Sequence, residues 1–142
     1  MVPAASFVCI YIGKSEMKTT LQHSRVIPSF ALPLCSWCMI NTALLDTADK
    51  IVAMHTELDS QPAAAGILHL DQDSALVDGA ATLPAARGRG LQKALLSARL
   101  LHAKEQGALH AFSRTSLGSI SQANLQKIGM QVFTQSTAWR RI

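Results

Sequence analysis

A glycine-rich hexapeptide, Arg87-Gly-Arg-Gly-Leu-Gln92, stands between an extended apolar run ending at Thr82-Leu83-Pro84 and an amphipathic stretch that continues to Gln106. Where a strand breaks into a glycine turn and re-enters a helix, the first amides of the helix lack intrahelical partners. The helix dipole adds partial positive charge at the same place. The spacing therefore predicts an anion cradle suited to pyrophosphate. The backbone of Gly88, Gly90, Leu91 and Gln92 supplies most of the grip, while Arg87 and Arg89 add charge-assisted contacts. Two other phosphate loops are excluded. A dinucleotide fingerprint needs a third glycine and a downstream acid at a strand end, and a P-loop needs Gly-Lys followed by Ser or Thr.

Charge is distributed to match. After Pro84 the chain carries nine basic residues and one acid, Glu105, whereas residues 1 to 84 carry four basic residues and eight acids. The positive field surrounds the glycine loop and would steer a polyanion to it. Charge alone leaves a nucleotide-bearing cofactor and a nucleic acid both open, but an aromatic content of 5% disfavours a base-stacking surface.

A chain of 142 residues provides for one hydrophobic core. Its three cysteines, Cys9, Cys35 and Cys38, do not make a disulfide framework, which points to a reducing, cytoplasmic setting. Cys35-Ser-Trp-Cys38 has C-x-x-C spacing without the further ligands zinc requires, so no metal site is expected. The apolar run from 27 to 45 is interrupted by Pro28, Pro33 and Asn41 and makes a poor membrane span.

Along the chain, residues 1 to 48 are irregular apart from a β-like run at Ser6 to Ile12. Strands are predicted at Ile51 to Glu57, Ala63 to Leu70 and Ala75 to Leu83, separated by turn residues, as an antiparallel meander. A helix follows from about Gly90 to Gln106, with an apolar stripe through Leu91, Leu95, Ala98 and Leu101 or His102 and a stop at Gly107. Ala108 to Arg114 reads as a strand parallel to the one before the helix, joined to it by a right-handed crossover. Ser119-x-x-Gln122 is a capping-box signal for a second helix, Ile120 to Ile128, and Val132 to Trp139 supplies a last strand.

Together with Thr115-Ser-Leu-Gly-Ser-Ile-Ser-Gln-Ala-Asn124 and Lys127-Ile-Gly-Met130, the glycine loop resembles the GNAT acetyltransferase superfamily, whose motif is (Gln or Arg)-x-x-Gly-x-(Gly or Ala). Arg87 and Gly90 match. Gln92 departs from the motif in the manner of a bacterial-type branch reading Arg-Gly-x-Gly-(Val or Leu)-Gln. The resemblance covers residues 63 to 142. It implies an α/β (α+β) domain over 49–142, with a mixed, mostly antiparallel sheet, a V-shaped splay and flanking helices, preceded by a divergent segment, 1–48.

The resemblance further implies acetyl-CoA as cosubstrate, with the backbone of Leu83 on the pantetheine arm and contacts from the second helix at Asn124, Ser121 and Gln122. It implies transfer of acetyl to the primary amine of a small molecule or peptide. Asp78 is the candidate base, against a plain reading as a turn or bulge acid beside Gly79. Leu125 stands where many such enzymes carry a tyrosine that protonates the departing thiolate, so water or a hydroxyl such as Ser121 or Ser119 becomes the candidate proton source. His69 and His110 fall in strands and read equally as packed residues or proton carriers. The alternatives are a non-catalytic or truncated CoA-binding domain and, third, a basic nucleic-acid-binding module. A homodimer is left open.

Overall fold

The computed structural model describes residues 2–13, 15, 17 and 51–141. Cys35, Cys38 and the apolar run from 27 to 45 lie outside them.

Six strands form one sheet: β1 (Val2–Gly13), β2 (Ile51–Leu58), β3 (Gln61–Asp71), β4 (Ser74–Thr82), β5 (His110–Ser116) and β6 (Gln131–Arg140), in the order β2-β3-β4-β5-β1-β6. Every neighbouring pair is antiparallel except β4 with β5. Two helices, α1 (Leu91–Glu105) and α2 (Ile120–Lys127), follow β4 and β5 respectively. The expected mixed, mostly antiparallel sheet with flanking helices is thus present, with element ends shifted by one or two residues. β1 extends beyond Ser6 to Ile12 at both ends and lies inside the sheet between β5 and β6.

The meander is made by two tight hairpins. Leu58 faces Gln61 across Asp59 and Ser60, both at positive φ, and Asp71 faces Ser74 across Gln72 and Asp73, with Gln72 at φ 50°. Two-residue connections of this kind match the twist of the strands they join. Both helices end as their glycines predict. Gly107 and Gly129 are left-handed, and the amides of Ala108 and Met130 reach back to the carbonyls of Ala103 and Leu125.

Alternation places Val8, Ile10 and Ile12 of β1, Leu68 of β3, Ala75 and Val77 of β4 and Ala111 of β5 in one buried cluster with Leu95, Leu96, Ala98, Leu100 and Ala103 of α1 and Leu125 of α2. The α1 stripe differs from the expected one. It turns through Leu95, Ala98, Arg99 and Ala103, while Leu101 and His102 are only half-buried. Arg99 has no place in an apolar stripe read from sequence, since a cation belongs by type to the surface. No helix among the described residues is long and apolar enough to cross a membrane.

Candidate active site

β4 and β5 pair over three positions, Ser74 with His110, Ala75 with Ala111 and Leu76 with Phe112. Both strands then continue unpaired with each other, β4 to Thr82 and β5 to Ser116. The sheet is therefore open between them from Leu76 onward, and this is the expected splay. Backbone hydrogen-bonding groups on facing strand edges that do not pair must find other partners. An extended ligand arm with amide groups can supply them.

The ladder identifies which groups face the gap. Leu83 N–H donates to Ala63 O at 2.9 Å, extending the β3–β4 pairing past Thr82. In an antiparallel pair alternate residues turn their N–H and C=O away from the partner strand. Ala80 and Thr82 are those residues here, so their backbone groups point into the gap. Sequence reasoning named Leu83, whose N–H is engaged with Ala63 and whose carbonyl accepts from Ala86 N at 2.9 Å. A carbonyl has a second lone pair, which is what Leu83 retains for a ligand. Ala80 and Thr82 were missed because nothing in an apolar strand reveals its register.

At the open end of the gap, a single 3-10 turn at Pro84–Ala86 carries the chain into the glycine loop. Gly88 and Gly90 both adopt left-handed backbone, φ 76° and 75°, and a Cβ at either would meet nothing within 4 Å. Gly90 is the N-cap of α1, no side chain caps the helix, and its first turn contains no acid. The leading amides of Leu91, Gln92 and Lys93 therefore have no intrahelical partner, and the positive end of the helix dipole lies behind them. Arg87 and Arg89 are exposed beside them, and Arg87 Nε reaches Thr82 O at 3.4 Å. Room beside Gly88 and Gly90, a helix start without a side-chain cap and a first turn without an acid are compatible with an anion there.

β5 leads to the second helix at the same end of the sheet. Ser119 is the N-cap of α2, its Oγ accepting from Gln122 N at 3.1 Å and lying 2.9 Å from Thr115 Oγ1. Gln122 Oε1 accepts from Gly118 N at 2.7 Å, one residue earlier than a capping box requires. Ser121 is exposed and Asn124 half-buried. Leu125 is 6% exposed and belongs to the hydrophobic core. Its side chain serves packing.

Asp78 occupies the vertex of the splay. Between Gly66 opposite Ala80 and Ile67 opposite Asp78 the register slips by one, leaving Gly79 as the extra residue of a β-bulge, at φ 28°. Asp78 Oδ1 accepts from Gly79 N at 2.7 Å. Its Oδ2 lies 4.0 Å from His69 Nε2, and both side chains are partly exposed. Asp78 is thus a bulge acid with one oxygen uncommitted to the backbone. On the neighbouring strands Tyr11 Oη bonds His110 Nδ1 at 3.1 Å, and the rings of Phe112 and Phe133 pack around Tyr11. This aromatic cluster includes Phe112, the last residue of β5 to pair with β4.

Beneath the bulge lies Arg99 of α1, 2% exposed. Its Nη1 donates to Ile67 O at 3.1 Å and to Asp78 O at 2.8 Å. Burial pulls the guanidinium down to about 10, partly opposed by the Asp78 charge, and it remains a cation at neutral pH.

No family model and no curated protein matches the sequence. Solved structures do. A GNAT-family acetyltransferase from Colwellia psychrerythraea superposes with a TM-score of 0.71 at 15% identity over 96% of this chain and 56% of that one. A GCN5-related N-acetyltransferase from Sphaerobacter thermophilus gives 0.72 at 10% identity over 96% and 51%. The aminoglycoside N-acetyltransferase AAC(6')-Iy, solved in complex with CoA, gives 0.60 at 21% identity over 75% and 90%. The chain spans little more than half the length of the first two. At these identities the likeness is one of fold, and the fold is that of the GNAT acetyltransferases.

Proposed function

We propose that this chain is an acetyl-CoA-dependent N-acetyltransferase acting on a primary amine of a small molecule or peptide. One observation carries the reading: a gap between two parallel strands, lined by the backbone edge of Ala80 and Thr82 that β3 does not pair, opens directly onto an uncapped helix start with left-handed glycines. The two parts suit the two ends of one ligand, an amide-bearing arm and a pyrophosphate. The pyrophosphate contacts are assigned to the backbone of Gly88, Gly90, Leu91 and Gln92, with Arg87 and Arg89 supplying charge. Acetyl-CoA brings the activated acyl group.

The residues of the chain position, polarise and move protons. A backbone N–H of Ala80 or Thr82 facing the gap is the donor for the thioester oxygen. Asp78, with Oδ2 turned toward His69, takes a proton from the substrate ammonium, directly or through water, and so frees the neutral amine that attacks the thioester. Ser121 is the hydroxyl assigned to the departing sulfur, and Asn124 a contact to the arm. Orientation of two bound reactants lowers a barrier by about 7 to 11 kcal/mol, so activity does not require the tyrosine that Leu125 replaces. A cytoplasmic setting is part of this reading. A homodimer through β6 fits it as well, since that strand pairs only with β1 among the described residues and exposes Phe133 and Trp139.

The buried Leu125 favours a second reading, a CoA-binding domain without turnover. Thiol release from acetyl-CoA against a polyamine, an aminoglycoside and a lysine-bearing peptide separates the two. Release with any of them supports transfer, and tight binding of acetyl-CoA with no release from all three favours the second reading.

A further inference from the structure

A buried cation is a poor fastener between a helix and a sheet. Removing a guanidinium from water opposes folding, and an apolar side chain of similar volume holds such an interface at least as well. Arg99 is nonetheless buried, and Gly66 beside it has no side chain: a Cβ there would lie 2.8 Å from Arg99 Cζ and 2.9 Å from Nη1. The space beside Gly66 is taken by the guanidinium. What Arg99 does that leucine or methionine cannot is hold two carbonyls, those of Ile67 and Asp78, residues that stand opposite each other at the bulged step of β3 and β4.

That step is also where the sheet opens. Leu76 is the last residue of β4 to pair with β5, and the bulge falls at Asp78 and Gly79. A bulge bends its strand and increases the local twist. Pinning the bulge therefore fixes the direction in which Ala80 and Thr82 leave the vertex. We propose that Arg99 is a positioning residue: from the side of the sheet covered by α1, it locks the bulge at Gly79 and so sets the β4–β5 gap and the aim of the backbone donors that line it. The catalytic consequence rests on the acetyl-transfer reading. The mechanical part does not.

The test uses the full chain as parent, Arg99→Met, Arg99→Lys, Gly66→Ala and the Gly66→Ala/Arg99→Met double variant. Three quantities are read: acetyl-CoA affinity by calorimetry, kcat by thiol release with the best amine of the panel, and amide hydrogen exchange across residues 76 to 82. Arg99→Met should lower kcat by up to about 10²-fold, the effect of roughly 1 Å of misplacement. Acetyl-CoA affinity, held mainly at the glycine loop, should change far less. Gly66→Ala keeps the charge but displaces it, and should move kcat and exchange in the same direction. The double variant should be no worse than Arg99→Met, because both substitutions break one linkage. Arg99→Lys, which retains a donor, should recover part of the loss.

Unchanged kcat in Arg99→Met, or exchange across residues 76 to 82 that does not rise in Gly66→Ala, overturns the proposal. If Arg99→Met does not fold, Gly66→Ala and Arg99→Lys decide by the same readouts. A parent that does not bind acetyl-CoA removes the acetyl-transfer reading instead, and the exchange measurement still decides whether Arg99 holds the bulge.

Discussion

The amide of Ala94 donates to the carbonyl of Gly90 at 3.0 Å, closing the first turn of α1 on a residue held at φ 75°. The three amides between them have no intrahelical acceptor. Because a Cβ at Gly88 or Gly90 meets nothing, substitution there is a question of backbone conformation and of ligand, not of packing. Gly88→Ala should destabilise by about 1 to 2 kcal/mol, the left-handed penalty, as read from urea midpoints. Gly90→Asp should fold and lose acetyl-CoA binding, since it sets a carboxylate where phosphate is expected.

Arg87 is exposed and its bond to Thr82 O is long, so its contribution to binding is electrostatic. Arg87→Ala should weaken acetyl-CoA by a few fold at most, and the deficit should shrink as salt is raised. A loss as large as that of Gly90→Asp would mean that side chains, not amides, hold the ligand.

Leu125 offers no room for a phenol. Leu125→Tyr should overpack the core and cost about 1 to 3 kcal/mol without raising kcat, measured by thermal melting beside thiol release. A higher kcat in this variant would place the position on the reacting side of α2.

Ser119→Ala removes the acceptor of Gln122 N and should lower stability by about 1 kcal/mol, visible as a lower Tm. Acetyl-CoA turnover should be affected less by it than by Ser121→Ala.

Burial holds Arg99 at about 10 in the folded protein, below its ordinary value in the unfolded chain. Between those values the unfolded chain binds more protons, so this group adds stability as pH rises through the window and contributes no slope below it. The difference in urea midpoint between parent and Arg99→Met should be flat from pH 6 to 9 and shift in favour of the parent above about pH 10. A slope near neutrality would assign the titration to another group.

Much of the fold is legible in the chain because its signals are local. Gly107 announces a left-handed helix end, and it has one. Ser119 and Gln122 announce a cap, and the cap forms. What escapes local reading is what depends on register. A bulge at Gly79 is a relation between β3 and β4, and only that relation turns Ala80 and Thr82 toward the gap. Arg99 escapes for a different reason: its place in the core is set by two carbonyls and by a glycine 33 positions earlier, none of which leaves a periodic trace.

Calorimetric titration of acetyl-CoA into the parent and into Gly90→Asp, with NAD and ATP titrated alongside, tests the cradle and its ligand together. Saturable binding of acetyl-CoA by the parent, abolished in a folded Gly90→Asp and weaker for NAD and ATP, is the predicted result. Binding that survives Gly90→Asp, or equal binding of all three nucleotides, would contradict it.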